Sequence, residues 1–168
     1  MKKFNYSLDF KAIDFRQHPE LYCIGKGEQG VLLVEPYKSE ILPYWKFRTP
    51  EIAHQSAEKI YELFLAYKSQ DDFVGMDMAR KFLQMGYTRS RRYANHKSGR
   101  KYDRNSRLIL PPEEDPIKAQ SAKIFYEKWQ LAKIDLEYLK LSDRHRQQYE
   151  QVTESISTHY QLTTETRE

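Results

Sequence analysis

The chain has 168 residues and a formal net charge of +4, the size of one domain at about 100–200 residues per domain. Apolar residues, counted with glycine and without tyrosine, make up 35% of it, below the usual share of about 45–50%; thirteen Tyr and eight Phe supply area to bury, and Tyr keeps a polar tip. No apolar run approaches the roughly 18 residues of a membrane helix, the amino terminus lacks the apolar segment of a signal peptide, and a single cysteine, Cys23, excludes an intramolecular disulfide and a cysteine metal cluster, so a cytoplasmic protein with no membrane partner is expected.

Residues 1–20 alternate aromatic and polar, with Phe4, Tyr6, Leu8 and Phe10 on one parity, the period of a half-buried strand or extended arm. Residues 21–48 read as a small antiparallel sheet: Leu21–Ile24 and Val31–Val34 flank a glycine-rich turn, and Tyr44–Arg48 forms a third strand. Thr49-Pro50-Glu51 starts an amphipathic helix, with Thr as N-cap, Pro at the first helical position and an acid in the first turn. Asp71 or Asp72 caps a second helix that ends at Gly86, and Thr88 caps a short third one over residues 89–95. Residues 96–107 read as a polar loop, and Pro111-Pro112 breaks the chain. Asp115-Pro116 opens the longest helix, running to about Leu141. One of its sides carries Ala122, Phe125, Trp129 and Ala132, and the other Ile117, Ile124, Leu131 and Tyr138, so both sides must be covered, by the domain interior or by a second subunit. A last helix starts at Asp143, and residues 163–168 fray.

The fold class that follows is α+β, a small amino-terminal antiparallel sheet packed by helices and a long carboxy-terminal helix. Residues 1–110 form the core, with a basic helix–loop at 87–107, and residues 111–162 form a helical arm packing on it.

Charge is distributed unevenly. Residues 80–107 hold ten basic side chains against one acid, Asp103, a net of +9, while the other 140 residues carry 18 basic and 23 acidic groups, a net of −5. A basic segment on a mildly acidic body suggests an anionic partner. Within it, Arg89, Arg91, Arg92, Lys97, Arg100 and Lys101 suit phosphates. Tyr93 and Tyr102, with Tyr87, suit stacking on bases. Asn95, His96 and Ser98 add neutral contacts, and Arg89 and Arg92 share a helix face if residues 88–95 are helical. The opposing reading is a solvated basic surface neutralised by the acidic body.

Gly25-x-Gly27-x-x-Gly30 matches a phosphate-binding pattern in letters, but a strand rather than a helix is expected after it, so no dinucleotide site follows. The glycines serve a turn at positive φ, with a backbone anion nest at Gly25, Lys26, Gly27 and Gly30 as the lesser option. No cofactor, metal or catalytic residue is indicated. Glu35 and Lys38 have the wrong spacing for a metal-dependent nuclease, the five histidines form no zinc spacing, and Asp71 and Asp72 are accounted for as caps.

Three strings, Gly27–Glu40, Phe73–Gly86 and Arg91–Lys97, resemble the domain of unknown function 4385, over roughly residues 4–140. The resemblance implies a small single-domain cytoplasmic protein of a family found in bacteria and viruses, including phages, and implies no activity and no catalytic residue. The expected function is a nucleic-acid-binding accessory protein acting through the basic, Tyr-interleaved segment. The alternatives are an enzyme on a phosphorylated small molecule or nucleotide, with the basic segment folded over the glycine turn near Glu35, Asp77 or Tyr37, and a protein that dimerises through helix 116–141.

Overall fold

The computed structural model describes residues 2–96, 100–110 and 114–151. These contain five α-helices: α1 (Tyr37–Ile41), α2 (Pro50–Ser69), α3 (Phe73–Asn95), α4 (Pro116–Ile134) and α5 (Leu136–His145). Short 3-10 turns occupy Pro19–Leu21 and Leu42–Tyr44, and a π-helical turn covers Arg146–Glu150. Among the described residues there is no strand, only one isolated antiparallel bridge, Tyr102 to Ile109. The expected α+β class and its amino-terminal sheet are therefore corrected: the fold is all-helical.

The helix starts form as their sequences dictate. Thr49 Oγ1 accepts the amide of Ile52 at 3.2 Å, Asp72 Oδ1 that of Gly75 at 3.1 Å, and Asp115 Oδ1 that of Ile117 at 2.9 Å. Each cap satisfies an amide that has no partner inside its helix. The helix ends differ from expectation. Gly86 does not stop α3, and Thr88 caps nothing: α3 continues through both to Asn95, 23 residues in all, while Thr88 Oγ1 bonds the Glu28 carboxylate at 3.0 Å. The long carboxy-terminal helix is also corrected to two. Asp135 leaves helical geometry (φ −57°, ψ 124°) and caps α5 through Tyr138 N–H at 3.0 Å, held by Lys68 at 2.6 Å.

Helices α2, α3 and α4 pack against one another around a core that includes Ile60, Phe64, Met76, Phe82, Leu83 and Phe125. One side of α4, with Ala122, Phe125 and Ala132, is buried, whereas Ile117 and Leu131 on the other side are exposed. The break at Asp135 turns Tyr138 inward and leaves Leu136 82% exposed.

The amino-terminal third is irregular chain held by rings and by helix side chains. Phe4, Phe10, Phe15 and Tyr22 form a line of ring contacts at 5.8–6.4 Å. Some of the backbone groups that a sheet would pair are met from helix side chains instead. Lys81 Nζ donates to the carbonyls of Ile24 and Gln29, both at 2.7 Å. Arg80 Nη2 donates to Gly27 O at 3.2 Å, and the buried Glu150 accepts Ile24 N–H at 3.0 Å. Buried backbone polar groups must find partners: the amides of Tyr22, Val31 and Leu33 bond into local turns at Pro19 O, Glu28 O and Gly30 O, Val34 O accepts Lys38 N–H, and Ile24 is met by Lys81 and Glu150, so the two apolar runs do not pair with each other. Gly25, Gly27 and Gly30 all have positive φ, at 67°, 59° and 80°, so the expected glycine geometry is present in a loop, not a hairpin.

Candidate nucleic-acid interface

The basic segment divides in two. Arg80 and Lys81 belong to the interior. Asp77 Oδ1 accepts from Arg80 Nε at 2.8 Å and from Tyr138 OH at 2.7 Å. Its Oδ2 accepts from Tyr22 OH and lies 3.5 Å from Lys81 Nζ. Burial by itself would raise the Asp77 pKa, but the charges of Arg80 and Lys81 and the two hydroxyls outweigh it and hold the carboxyl well below the usual carboxylate range. Burial lowers the Lys81 pKa against the opposing pull of Asp77. Every group in this centre is engaged, and it ties the glycine loop to α3.

The remaining cations lie at the surface. Arg89, Arg91 and Arg92 are on the carboxy-terminal half of α3, with Arg92 and Tyr93 exposed and Ser90 and Ala94 facing inward. Tyr87 is not free to stack on a ligand, because its ring packs on Tyr126 and Trp129 at 5.2 and 5.7 Å. Asn95 and His96 are half-buried at the end of α3, and His96 Nδ1 is buried with no partner among the described residues. Lys97 and Ser98 lie outside the described residues. Arg100, Lys101, Arg104 and Arg107 ride on an exposed hairpin around the Tyr102–Ile109 bridge, in place of the expected polar loop. Two backbone bonds close it, Asp103 N–H to Leu108 O at 2.8 Å and Leu110 N–H to Lys101 O at 2.9 Å. Asp103 is spent on the turn, accepting the amides of Asn105 and Ser106 at 2.9 and 2.8 Å. Asp115 N–H donates to Ala94 O at 2.8 Å, so α4 begins beside the end of α3.

Among the described residues, no carboxylate lies within ion-pair distance of Arg89, Arg91, Arg92, Arg100, Lys101, Arg104 or Arg107. Elsewhere several cations are paired, among them Arg16 with Glu40 at 2.8 Å, Lys68 with Asp135 at 2.6 Å and Lys128 with Glu58 at 2.8 Å.

Beside it lies a concavity of about 520 Å³ that the sequence pattern does not announce, walled by Lys46, Phe47, Arg48, Ile52, Tyr93 and Lys118. Of these only Tyr93 stands out in sequence, because residues 44–48 have the pattern of a strand. The cation–aromatic alternation Trp45-Lys46-Phe47-Arg48 is the signal that points to it. The strip is fixed from three sides. Trp45 Nε1 donates to Phe82 O at 3.1 Å, Lys46 N–H to Ser56 Oγ at 3.0 Å, and Lys118 Nζ to Arg48 O at 2.7 Å. The Phe47 and Tyr93 rings lie 6.0 Å apart, tilted by 40°.

The glycine loop presents carbonyls to Arg80 and Lys81, and its Lys26 amide is occupied by Gln29 Oε1 at 2.7 Å. Glu35, Tyr37 and Asp77 do not join the surface cations. Glu35 bonds Ser39, Tyr37 OH donates to Asp72 at 2.7 Å, and Asp77 is buried. A second concavity, about 420 Å³, includes Arg16, Asp72, Arg144 and His145, but Arg16 and Asp72 are already bonded to each other and to Glu40 and Tyr37. No described helix is long and apolar enough to cross a membrane, and no described group of three His, Cys, Asp or Glu comes together as a metal site needs.

His145 predicts an acid response. Burial lowers its pKa against a bond from the ring to Tyr22 O at 2.8 Å, so the folded protein favours the neutral imidazole. The unfolded chain then binds the extra proton first, and stability drops as pH falls below about 6.5. A second, steeper loss begins below about pH 4, where the unfolded carboxylates take protons that folded Asp77, Glu40 and Asp135, all held low, refuse. Thermal melts between pH 7.5 and 3 check this. Stability that stays flat down to pH 5, or a first step that persists in His145→Asn, contradicts it.

Comparison with known proteins gives a family and nothing more specific. The family model described as "Domain of unknown function (DUF4385)" matches residues 5–148. No curated protein and no solved structure matches.

Proposed function

The chain belongs to this family, the domain of unknown function DUF4385, and on that premise we propose that it binds nucleic acid through the carboxy-terminal half of α3 and the hairpin that follows. The observation that carries the reading is the set of seven cations, Arg89, Arg91, Arg92, Arg100, Lys101, Arg104 and Arg107, that have no acidic partner among the described residues. Guanidinium groups form strong charge-assisted bonds with phosphate, and leaving them unpaired has no evident benefit to the fold. The exposed rings of Tyr93 and Tyr102 stand among them as stacking surfaces. The enzyme alternative gains nothing comparable, because Glu35, Tyr37 and Asp77 are engaged elsewhere.

Affinity for a fluorescent oligonucleotide should fall steeply with salt. Each neutralised phosphate contributes about −0.7 to the slope of log K against log salt on a single strand and −0.9 on a duplex, so six contacts give about −4 to −5. Replacing Arg89, Arg91 and Arg92 together by Ala should flatten that slope by two to three units, to roughly −2. Fluorescence anisotropy at several salt concentrations measures both. Affinity independent of salt, or no binding at low salt, overturns the proposal.

A further inference from the structure

We propose that the pocket formed by Lys46, Phe47, Arg48, Ile52, Tyr93 and Lys118 receives one unpaired nucleobase, so that the preferred ligand is single-stranded. This inference rests on the nucleic-acid reading above and adds what kind of nucleic acid it is.

Three features of the pocket point there. Its volume, about 520 Å³, falls in the range of sites that enclose small molecules, about 300–1,000 Å³. Among the described residues its wall combines two aromatic rings and an aliphatic side chain with three cations and holds no carboxylate, which suits a flat ring attached to a phosphate. The strip at its floor is also tied down by hydrogen bonds. The bonds from Trp45 to Phe82 O, from Lys46 to Ser56 and from Lys118 to Arg48 O fix the strip that carries Phe47, so little order remains to be imposed on binding.

The tilt of Phe47 against Tyr93, 40° at 6.0 Å, opens a wedge rather than a closed stack. A paired base inside a duplex has both faces covered by its neighbours and offers only its edges in the grooves. A ring-walled pocket therefore has nothing to grip on a duplex, whereas an unpaired base offers a free face for stacking. A single strand that places one base here finds the unpaired cations of α3 along its backbone, because Tyr93 belongs to both the pocket and that helix. Lys118 Nζ spends one donor on Arg48 O and keeps two for phosphate.

The test uses the full chain and four probes of equal length: mixed-sequence single-stranded DNA, the same sequence as RNA, the DNA duplex, and a strand with the same phosphates but abasic sugars. The expected result is binding of the two base-bearing strands about tenfold or more tighter than the abasic strand and the duplex, the order of one stacked base. Phe47→Leu, which retains apolar volume, and Tyr93→Leu, at a side chain 38% exposed, should each bring that preference down toward one while the salt slope stays near its original value. Duplex and abasic strand binding as tightly as the single strands would overturn the base pocket and leave the proposed function standing. Absence of binding to all four probes would overturn both. Displacement of bound DNA by a Glu- and Phe-rich peptide, with no preference among the four probes, would assign the pocket to protein docking and overturn the inference as well.

Discussion

Asp77→Ala should destabilise the protein by about 3–5 kcal/mol, the cost of removing one partner from a buried ion pair, which is a large part of the roughly 5–15 kcal/mol that holds a domain folded. Asp77 and Lys81 are fully buried and Arg80 is 8% exposed. Without the carboxylate, two cations face each other in the interior, and the hydroxyls of Tyr22 and Tyr138 lose their acceptor. Asp77→Asn retains an acceptor oxygen but not the charge, so it should fall between wild type and Ala. Adding Lys81→Met to Asp77→Ala removes one uncompensated charge but leaves the carbonyls of Ile24 and Gln29 without their donor, so rescue should be partial. Urea unfolding of these proteins and of Lys81→Met alone, five in all, measures the order, and the coupling emerges from the double-mutant cycle. A loss below about 1 kcal/mol for Asp77→Ala would mean that the centre does not hold the glycine loop to α3 in solution.

Gly86→Ala should cost about 1–3 kcal/mol, the range for overpacking a filled core, although alanine is the better helix former by about 1 kcal/mol. A Cβ at position 86 would lie 2.3 Å from Cδ1 and 2.5 Å from Cε1 of Phe125. Such distances require α4 to move or the ring to leave its rotamer. Phe125 is fully buried among the core residues, so neither adjustment is cheap. The companion Phe125→Leu opens a cavity of its own, and the double variant should be less destabilised than the sum of the singles, because each change fits the other. Thermal denaturation compares the four. A Gly86→Ala protein as stable as wild type would show that α3 and α4 do not approach this closely.

Local chemistry is legible in the chain itself. Thr49, Asp72 and Asp115 cap their helices because a cap is a bond between a side chain and an amide two or three residues on, and the sequence displays both. Positive φ at Gly25, Gly27 and Gly30 follows from the same short-range logic. The surface cations of residues 89–107 are also readable, since a run of Arg and Lys with one acid needs no fold to be noticed. What the chain order conceals is partnership at a distance. Gly86 looks like a helix stop in sequence. In the fold it is a place where an aromatic ring crosses α3, and Phe125 lies 39 positions away. Lys81 and Arg80 read as part of the basic patch, but the fold draws them inside to serve backbone carbonyls of residues 24–29.

The amino-terminal sheet fails for the same reason. Leu21–Ile24 and Val31–Val34 have strand composition, and composition favours a pleated, half-buried surface without specifying the partner. Here the two runs bond into local turns, and Arg80 and Lys81 of α3 hold the loop between them by its carbonyls, so no ladder forms. The pocket at Lys46–Arg48 is hidden in the sequence because it is assembled from a loop, the end of α3 and the start of α4. The sequence by itself therefore determined the starts of α2, α3 and α4, the positive φ of the glycine turn and the run of positive charge, all set within a few residues along the chain. Only the tertiary structure decided the all-helical class, which cations are buried and which free, and where rings and charges meet to form a pocket, because each of these depends on which buried group finds which partner across the fold.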